Sequence, residues 1–409
     1  MPTKKRVLII VENETVPLDS RVWKEACSLR DYGCRVVVLC PTGKSCSRHY
    51  EVLDGIQIYR HPATRERTGP LGYLLEYVSA LFWEVLFSWW IYFRHGFDVI
   101  QGCNPPDDIV FIAWMFRWLG VKYIFDQHDA NPELYVAKYG KKGLLYRIVV
   151  LLERITYKSA DVVIATNQSY RQLAVTRGGV DPSDVYVVRN GPDLDTFQPV
   201  PPQPKLKNGK AHLVGYVGVM NEQDGLDLLL EVAAHIRSLG REDVQFTCVG
   251  SGSALPALRE MAVAKGLTDR FTFTGRVSDE DLLAILSTAD VCVNPDRPCE
   301  MNNISTMIKI MEYMALGKPI VQFESKEGRF SAQEASLYVG GASVAEFAEK
   351  VLFLLDHPDV AAKMGRFGQK RVKEALSWKH SIEHLHAAYD RAFGAPIGDP
   401  VTHEHICRQ

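Results

Sequence analysis

The stretch Arg6–Cys40, "RVLIIVENETVPLDSRVWKEACSLRDYGCRVVVLC", decides the fold. It opens on a run of mostly β-branched apolar residues. A segment with helical periodicity follows and stops at Gly33, and a second apolar run closes the stretch. Runs this short and continuous, without polar alternation, are strands buried on both faces, and a helix between two of them marks a parallel sheet. The start "KKRVLII" is basic and then apolar, but its apolar run is too short for a secretion signal and acidic residues follow at once, so it reads as the first strand.

The alternation continues through "GIQIY", "FDVIQ", "VKYIFD", "DVVIAT" and "DVYVV", most of them trailed by a helix-like segment. It pauses at "RNGPDLDTFQPVPPQPKLKNGKA", which carries five prolines between Pro192 and Pro204 and reads as a linker. It restarts with "HLVGYVG", "VQFTCVG", "RFTFTG", "DVCVNP", "KPIVQF" and "SLYVG". The expected organisation is α/β: a Rossmann-like doubly wound domain over residues 1–192, a linker over 193–210 and a second such domain over 211–376. A helix over 377–393 is expected to pack back on the first domain, and a loose tail covers 394–409. Ligands of such sheets sit beyond the carboxyl ends of the strands, so two facing domains imply a site in a central cleft.

Composition narrows the function. A chain of 409 residues is two domains long, and 46% hydrophobic with 23% charged residues is enough to build two cores. A net charge of −2 and the lack of a dense basic run argue against a nucleic-acid partner. Nine cysteines without a CxxC pair read as reduced thiols of a cytosolic protein. Cys40, Cys46 and His49 lie close in sequence, but their spacing fits no usual zinc pattern. The stretch Tyr73–Phe93, "YLLEYVSALFWEVLFSWWIYF", is long enough to span a bilayer. Glu76, Ser79, Glu84 and Ser88 give it a polar stripe, and strands of one sheet flank it on both sides. It is therefore read first as a core or interdomain helix and second as a membrane-surface contact.

Three Gly-bearing turns follow strands of the second half. Gly218, Gly250, Gly252 and Gly275 either turn the chain or let backbone amides approach a phosphate, and their repetition favours a nucleotide site. In "MNNISTMIKIMEYMALGKPIV", Asn302 or Asn303 is expected to cap one helix with Ser305 and Thr306 in its first turn, leaving amides near Met307 for an anion. Lys309 can reach a phosphate, and Glu312 either holds ribose hydroxyls or makes a salt bridge on the helix face.

These residues resemble the donor half of family 4 glycosyltransferases of the GT-B fold. The likeness rests on "GYVG", "VGSGSALPAL", "FTGRV", "ADVCVNP" and "IMEYMALGKPIV". In the first half it rests on "DYGCRVVVLCP" and "NGPDLDTFQP". It runs from about Arg6 to Ala375, nearest to transferases of bacterial surface polysaccharides. It implies that Glu312 is the second acid of a Glu-x7-Glu pattern, with the first position occupied by Ile304. Asn303 or Ser305 is left to cover that role, since Glu300 lies four residues early unless the loop is rearranged. The Arg and Lys that usually grip the diphosphate fall at Val219 and Asp224. Removing one donor to a leaving group costs about 3 kcal/mol, so replacements are required. Lys309, Arg276, Arg297 and the helix start at Ser305–Met307 are the available ones, and at least two are expected to line the site.

In the first half the resemblance places His128 of "FDQHDANPELY" at the sugar, with Asp126 and Asp129 orienting its ring or binding the acceptor; the alternative is a structural histidine. Arg21 either touches a phosphate or makes a surface salt bridge with Glu25. The implied reaction is retaining transfer without metal or cofactor, from a nucleotide-sugar, UDP by family default, to a saccharide or lipid-linked saccharide at the inner face of the cytoplasmic membrane. Two alternatives stand beside it. One is a nucleotide-sugar epimerase on the same fold. The other is a non-catalytic partner protein, which Ile304, Val219 and Asp224 favour and Glu312, His128 and the glycine turns oppose.

Overall fold

A computed structural model describes residues 4–43, 46–63 and 70–397, with side chains of the helix Pro70–His95 from residue 77 onward. The end of the expected tail, from residue 398, lies outside them. Two compact units emerge: one takes in the chain up to Arg189 and again from Ser381, the other is Asn190–His380.

The first unit holds β1 (Arg6–Val11), β2 (Arg35–Pro41), β3 (Tyr50–Leu53), β4 (Ile56–His61), β5 (Val99–Cys103), β6 (Lys122–Gln127), β7 (Val162–Ala165) and β8 (Val185–Val187). They form one sheet in the order β3-β4-β2-β1-β5-β6-β7-β8, parallel except for β3. β3 has no counterpart among the expected strands. It pairs with β4 through a two-residue turn in which Asp54 and Gly55 both have positive φ (46° and 78°), the conformation that an Asp-Gly pair favours. Chain order reverses between β1 and β5, so the crevice of this sheet opens beyond Val11 and Cys103.

The second unit holds β9 (His212–Val217), β10 (Val244–Val249), β11 (Phe271–Gly275), β12 (Val291–Asn294), β13 (Ile320–Phe323) and β14 (Ser336–Val339). All are parallel, in the order β11-β10-β9-β12-β13-β14, with the reversal between β9 and β12. Neighbouring residues of one strand feed different cores. Val214 packs with Leu229 and Phe347, while Leu213 packs with Ile310 and Met314, which is why the strands are apolar throughout.

The proline-rich stretch is pinned to the second unit: the amides of Val200 and Gln203 donate to Ser287 Oγ (3.1 Å) and Thr288 Oγ1 (2.8 Å). The last helix, Trp378–Phe393, returns to the first unit. Ser381 Oγ donates to the Arg189 carbonyl (2.7 Å), Tyr32 Oη donates to Asp390 (2.8 Å), and Tyr389 Oη donates to Gln101. Among the described residues no helix is long and apolar enough to cross a membrane, so the stretch Tyr73–Phe93 does not read as a span.

Candidate active site

In the first unit the polar residues gather at the carboxyl ends of β5 and β6. Asp19 caps the helix Ser20–Asp31 by accepting from the amides of Arg21 (3.1 Å) and Val22 (3.0 Å). The cap points Arg21 at the sheet, where its Nη2 meets Asp126 Oδ1 at 2.7 Å and Glu25 Oε1 at 3.0 Å, and its Nη1 donates to the Val188 carbonyl (2.8 Å). Gln101 Nε2 bridges Glu25 Oε2 (2.7 Å) and Asp126 Oδ2 (3.0 Å). His128 Nε2 lies 2.7 Å from Asp126 Oδ2, and Asn104 Oδ1 accepts from the amides of His128 (2.7 Å) and Asp129 (3.1 Å). Arg21, Glu25, Gln101 and Asp126 are buried; only the His128 ring keeps an opening.

The charges of this network are interlocked. Burial alone would raise Asp126, but Arg21 and then His128 hold it well below the usual carboxylate range. Burial alone would lower His128, and Asp126 overrides it, so the ring holds its proton more tightly than a free histidine. Burial pushes Glu25 up to about 8 against the pull of Arg21. Asp126 thus orients the ring, and Asp129 contributes its backbone, its own carboxyl raised by burial. The expected salt bridge of Arg21 with Glu25 is present but internal rather than on the surface, and the guanidinium is buried against Asp126, Glu25 and the Val188 carbonyl. Cys103 Sγ, Asp126 and His128 place ligand atoms within 4.8 Å of one another, the spacing of a metal site. They fit a cation poorly: burial keeps the Cys103 thiol protonated, and Arg21 already occupies Asp126.

In the second unit the site lies beyond β9 and β12. The single helix expected from Asn302 is two helices, Glu300–Ile304 and Ile308–Ala315, broken at Ser305–Met307. Ser305 turns its hydroxyl back to the Met301 carbonyl (2.8 Å), a local bond that competes with helix continuation. Asn303 does not cap; its Oδ1 accepts from the Lys326 amide (2.8 Å). Asn302 Nδ2 donates to the Arg297 carbonyl (2.8 Å). Ser305 and Thr306 therefore sit in the connector, and the Ile308–Ala315 helix begins at Met307 without a side-chain cap.

A cavity of about 410 Å³ opens here, walled by Asn294, Asp296, Arg297, Cys299, Glu300, Asn302, Asn303, Met307 and Phe323–Ser325. Glu300 lies in the wall, while Ile304 ends the short helix. Asn294 Oδ1 and Asp296 Oδ2 are buried acceptors without a hydrogen-bond partner, ready for donors from a ligand. Lys309 Nζ is held by Asp296 Oδ1 (2.8 Å) and Tyr216 Oη (3.4 Å), and lies 4.8 Å from the Tyr216 ring centre. Arg297 lines the cavity and pairs with Asp227, whereas Arg276 is exposed on the turn after β11 and does not line it. Glu312 is half-buried, one turn beyond Lys309. Val219 is exposed, and Asp224 closes its own turn by accepting from the Asn221 amide (2.8 Å), its carboxyl pushed up to about 6 by burial.

Gly250 and Gly252 answer to packing, whereas Gly275 faces open space at a φ of +76°. A Cβ on Gly250 would lie 1.9 Å from the Gly218 carbonyl oxygen, and one on Gly252 would lie 2.3 Å from that of Met220. The turns after β9 and β10 meet backbone to backbone, which suffices to require glycine without any ligand. Asn294, Asp296 and Tyr216 had gone unnoticed as site residues. The signal for them is positional: Asn294 and Asp296 end and follow the strand at the order reversal.

Two family models match the chain: "Glycosyl transferase 4-like domain" over residues 19–191 and "Glycosyl transferases group 1" over 211–357. An α-maltose-1-phosphate synthase of Mycolicibacterium smegmatis is 27% identical over 286 residues, covering 64% of this chain and 71% of that one. Matches to curated relatives span 38% to 73% of their lengths. Among solved structures, sucrose-phosphate synthase of Thermosynechococcus elongatus superposes with a TM-score of 0.78 at 19% identity, covering 96% of this chain and 100% of that one. Anabaena HepE in complex with UDP-glucose gives 0.70 at 16%, covering 93% and 98%. These two likenesses concern the fold.

Proposed function

The chain belongs to the family 4 glycosyltransferases of the GT-B fold, and from that premise we propose that it moves a sugar from a UDP-sugar to a lipid-linked saccharide in surface-polysaccharide synthesis, with retention of configuration. The observation that carries the reading is the set Asn294 Oδ1, Asp296 Oδ2 and Lys309 beside an uncapped helix start. Orphaned acceptors suit the hydroxyl donors of a sugar. Lys309 and the amides at Met307 and Ile308 suit the leaving diphosphate, on which negative charge grows as the glycosyl C–O bond breaks. Glu312, one turn on, suits the ribose. The acceptor hydroxyl forms the new bond to the same face of the sugar and passes its proton to the departing phosphate. No step of this scheme calls on a metal ion. His128, fixed by Asp126, would orient the sugar during transfer. HepE, solved with UDP-glucose, supports the choice of nucleotide.

Calorimetric titration with UDP, GDP, ADP and CMP tests this. UDP is expected to bind, and Glu312→Ala to weaken it by about tenfold or more. A folded protein that binds none of the four would overturn the proposal in favour of a non-catalytic partner, and conversion of a nucleotide-sugar without any acceptor would favour the epimerase.

A further inference from the structure

The helix Pro70–His95 is built inside out. Its inward stripe is Ala80, Glu84, Ser88 and Ile91, and its outward stripe is Val78, Phe82, Leu86, Trp90 and Phe93. Glu84 and Ser88 are 0% exposed, yet both carboxyl oxygens of Glu84 and the hydroxyl of Ser88 have no hydrogen-bond partner among the described residues. The nearest opposite group is His61 Nε2, 4.0 Å from Glu84 Oε1. Burying polar groups unpaired is expensive, whereas water would hydrate them at once. A helix bathed in water would therefore gain by turning about its axis. Its observed orientation is sensible where the medium outside is itself apolar.

The outward stripe does not end with this helix. Ile109–Arg117 packs beside it, with the Trp89 and Phe116 ring centres 4.5 Å apart, and Leu144–Ser159 lies next, joined by Trp114 Nε1 donating to Ser159 Oγ (2.9 Å). Across the three helices Trp118 is 94% exposed, Phe93 79% and Leu144 75%, and Leu145, Ile148 and Leu151 continue the face. Charge accompanies it on one side only. Lys138, Lys141, Lys142, Arg147, Arg154 and Lys158 supply six cations, against the single acid Glu153, which is buried and paired with Arg177 (2.6 Å).

We propose that this face of the first unit docks on the anionic surface of a lipid bilayer. Apolar and aromatic side chains would enter the headgroup boundary while the lysines and arginines meet lipid phosphates. The charge pattern selects this occupant over a second copy of the chain, since a two-fold interface would set six cations against six. The proposal goes beyond the transfer reaction and does not depend on it, because vesicle binding is read without donor or acceptor.

The test is co-sedimentation of the full chain with vesicles of phosphatidylcholine alone and with about one-third phosphatidylglycerol. Binding is expected to the anionic vesicles, and to be weaker by about tenfold or more on the neutral ones or in high salt. The paired substitution Trp118→Asp with Leu144→Asp should abolish it; both side chains project outward, so folding is preserved. A second variant, Lys141→Ser with Lys142→Ser and Arg147→Ser, should weaken binding to the anionic vesicles and lessen its dependence on salt, since half of the six cations are gone. No sedimentation with either vesicle would overturn the proposal, as would binding untouched by both variants. So would a dimer that ignores vesicles and that Trp118→Asp with Leu144→Asp dissociates. Nucleotide titration of the same preparations reports on the transferase reading separately.

Discussion

Replacing Lys309 by Met separates what the lysine does for the fold from what it does for a ligand. Its Nζ stands 2.8 Å from Asp296 Oδ1, and both side chains are largely buried. At an effective dielectric of about 20 that contact is worth roughly 6 kcal/mol of gross attraction, much of it spent on taking two charges out of water. Removing one partner of such a pair typically costs about 3–5 kcal/mol. Here the stranded group already has one orphaned oxygen, Oδ2, so the variant would leave Asp296 with none of its present partners. The expected loss for Lys309→Met at pH 7 is about 3 kcal/mol in urea unfolding followed by circular dichroism. Adding Asp296→Asn should restore most of the stability, because an amide is cheap to bury where a lone charge is not. UDP binding should be weakened in both variants alike. A double variant no more stable than Lys309→Met would refute the stranded-charge reasoning, and undiminished UDP affinity in both would remove Lys309 from the donor site.

Three further outcomes follow from the same geometry. Burial pushes Glu25 up to about 8, so between about pH 4.5 and 8 the folded chain holds a proton that the unfolded chain has released. His128 is raised too, which adds in the same direction. Stability should therefore fall as pH rises from about 5 to 8, and Glu25→Gln should flatten the curve; parallel melting curves for the two proteins across that range would count against it. Arg21→Ala strands the Asp126 carboxylate, and should cost about 3–5 kcal/mol while also moving the pH dependence of transfer through His128. An unchanged pH profile would show that the network is structural only. Gly250→Ala, with a Cβ 1.9 Å from the Gly218 carbonyl and φ of +128°, should cost about 3 kcal/mol or more. Gly275→Ala, facing open space at φ +76°, should cost about 1 kcal/mol. Equal losses in thermal unfolding would contradict the packing account.

The strands were legible because each of their faces is covered, so "RVLIIV" and "VQFTCV" are mostly apolar, with only Arg6, Gln245 and Thr247 polar, and the pattern is strong. β3 escaped because an edge strand buries little, and its sequence "YEVL" is short. The Asp54-Gly55 pair was the visible signal for it, and it works through backbone conformation rather than hydrophobicity. The break at Ser305 escaped for a different reason. Hydrophobic spacing runs through it, while the Ser305 hydroxyl bonds back to the Met301 carbonyl where the helix stops. The candidate site was legible as a region and not as a set of contacts. Lys309 and His128 could be singled out in their own units, but their counter-charges, Asp296 and Asp126, gain their meaning only once each sheet places them.

The two units share one electrostatic solution. Arg21 is the second residue of the helix Ser20–Asp31, and Lys309 is the second residue of Ile308–Ala315. A cation there opposes the positive end of the helix dipole, a conflict of up to about 1 kcal/mol at a surface and more when buried. In each unit an aspartate at or just beyond a strand end, Asp126 near the end of β6 and Asp296 after β12, comes within 2.8 Å and offsets both the dipole and the cation. The difference lies in what remains unsatisfied. Asp126 divides its oxygens among Arg21, Gln101 and His128, so the first network is closed and hands its order to one imidazole. Asp296 keeps one oxygen orphaned beside a cavity, so the second network is open and awaits a donor. On the proposed transfer, that contrast suits the first network to positioning and the second to binding, which is why Arg21 and Lys309, alike in sequence context, have different parts in it.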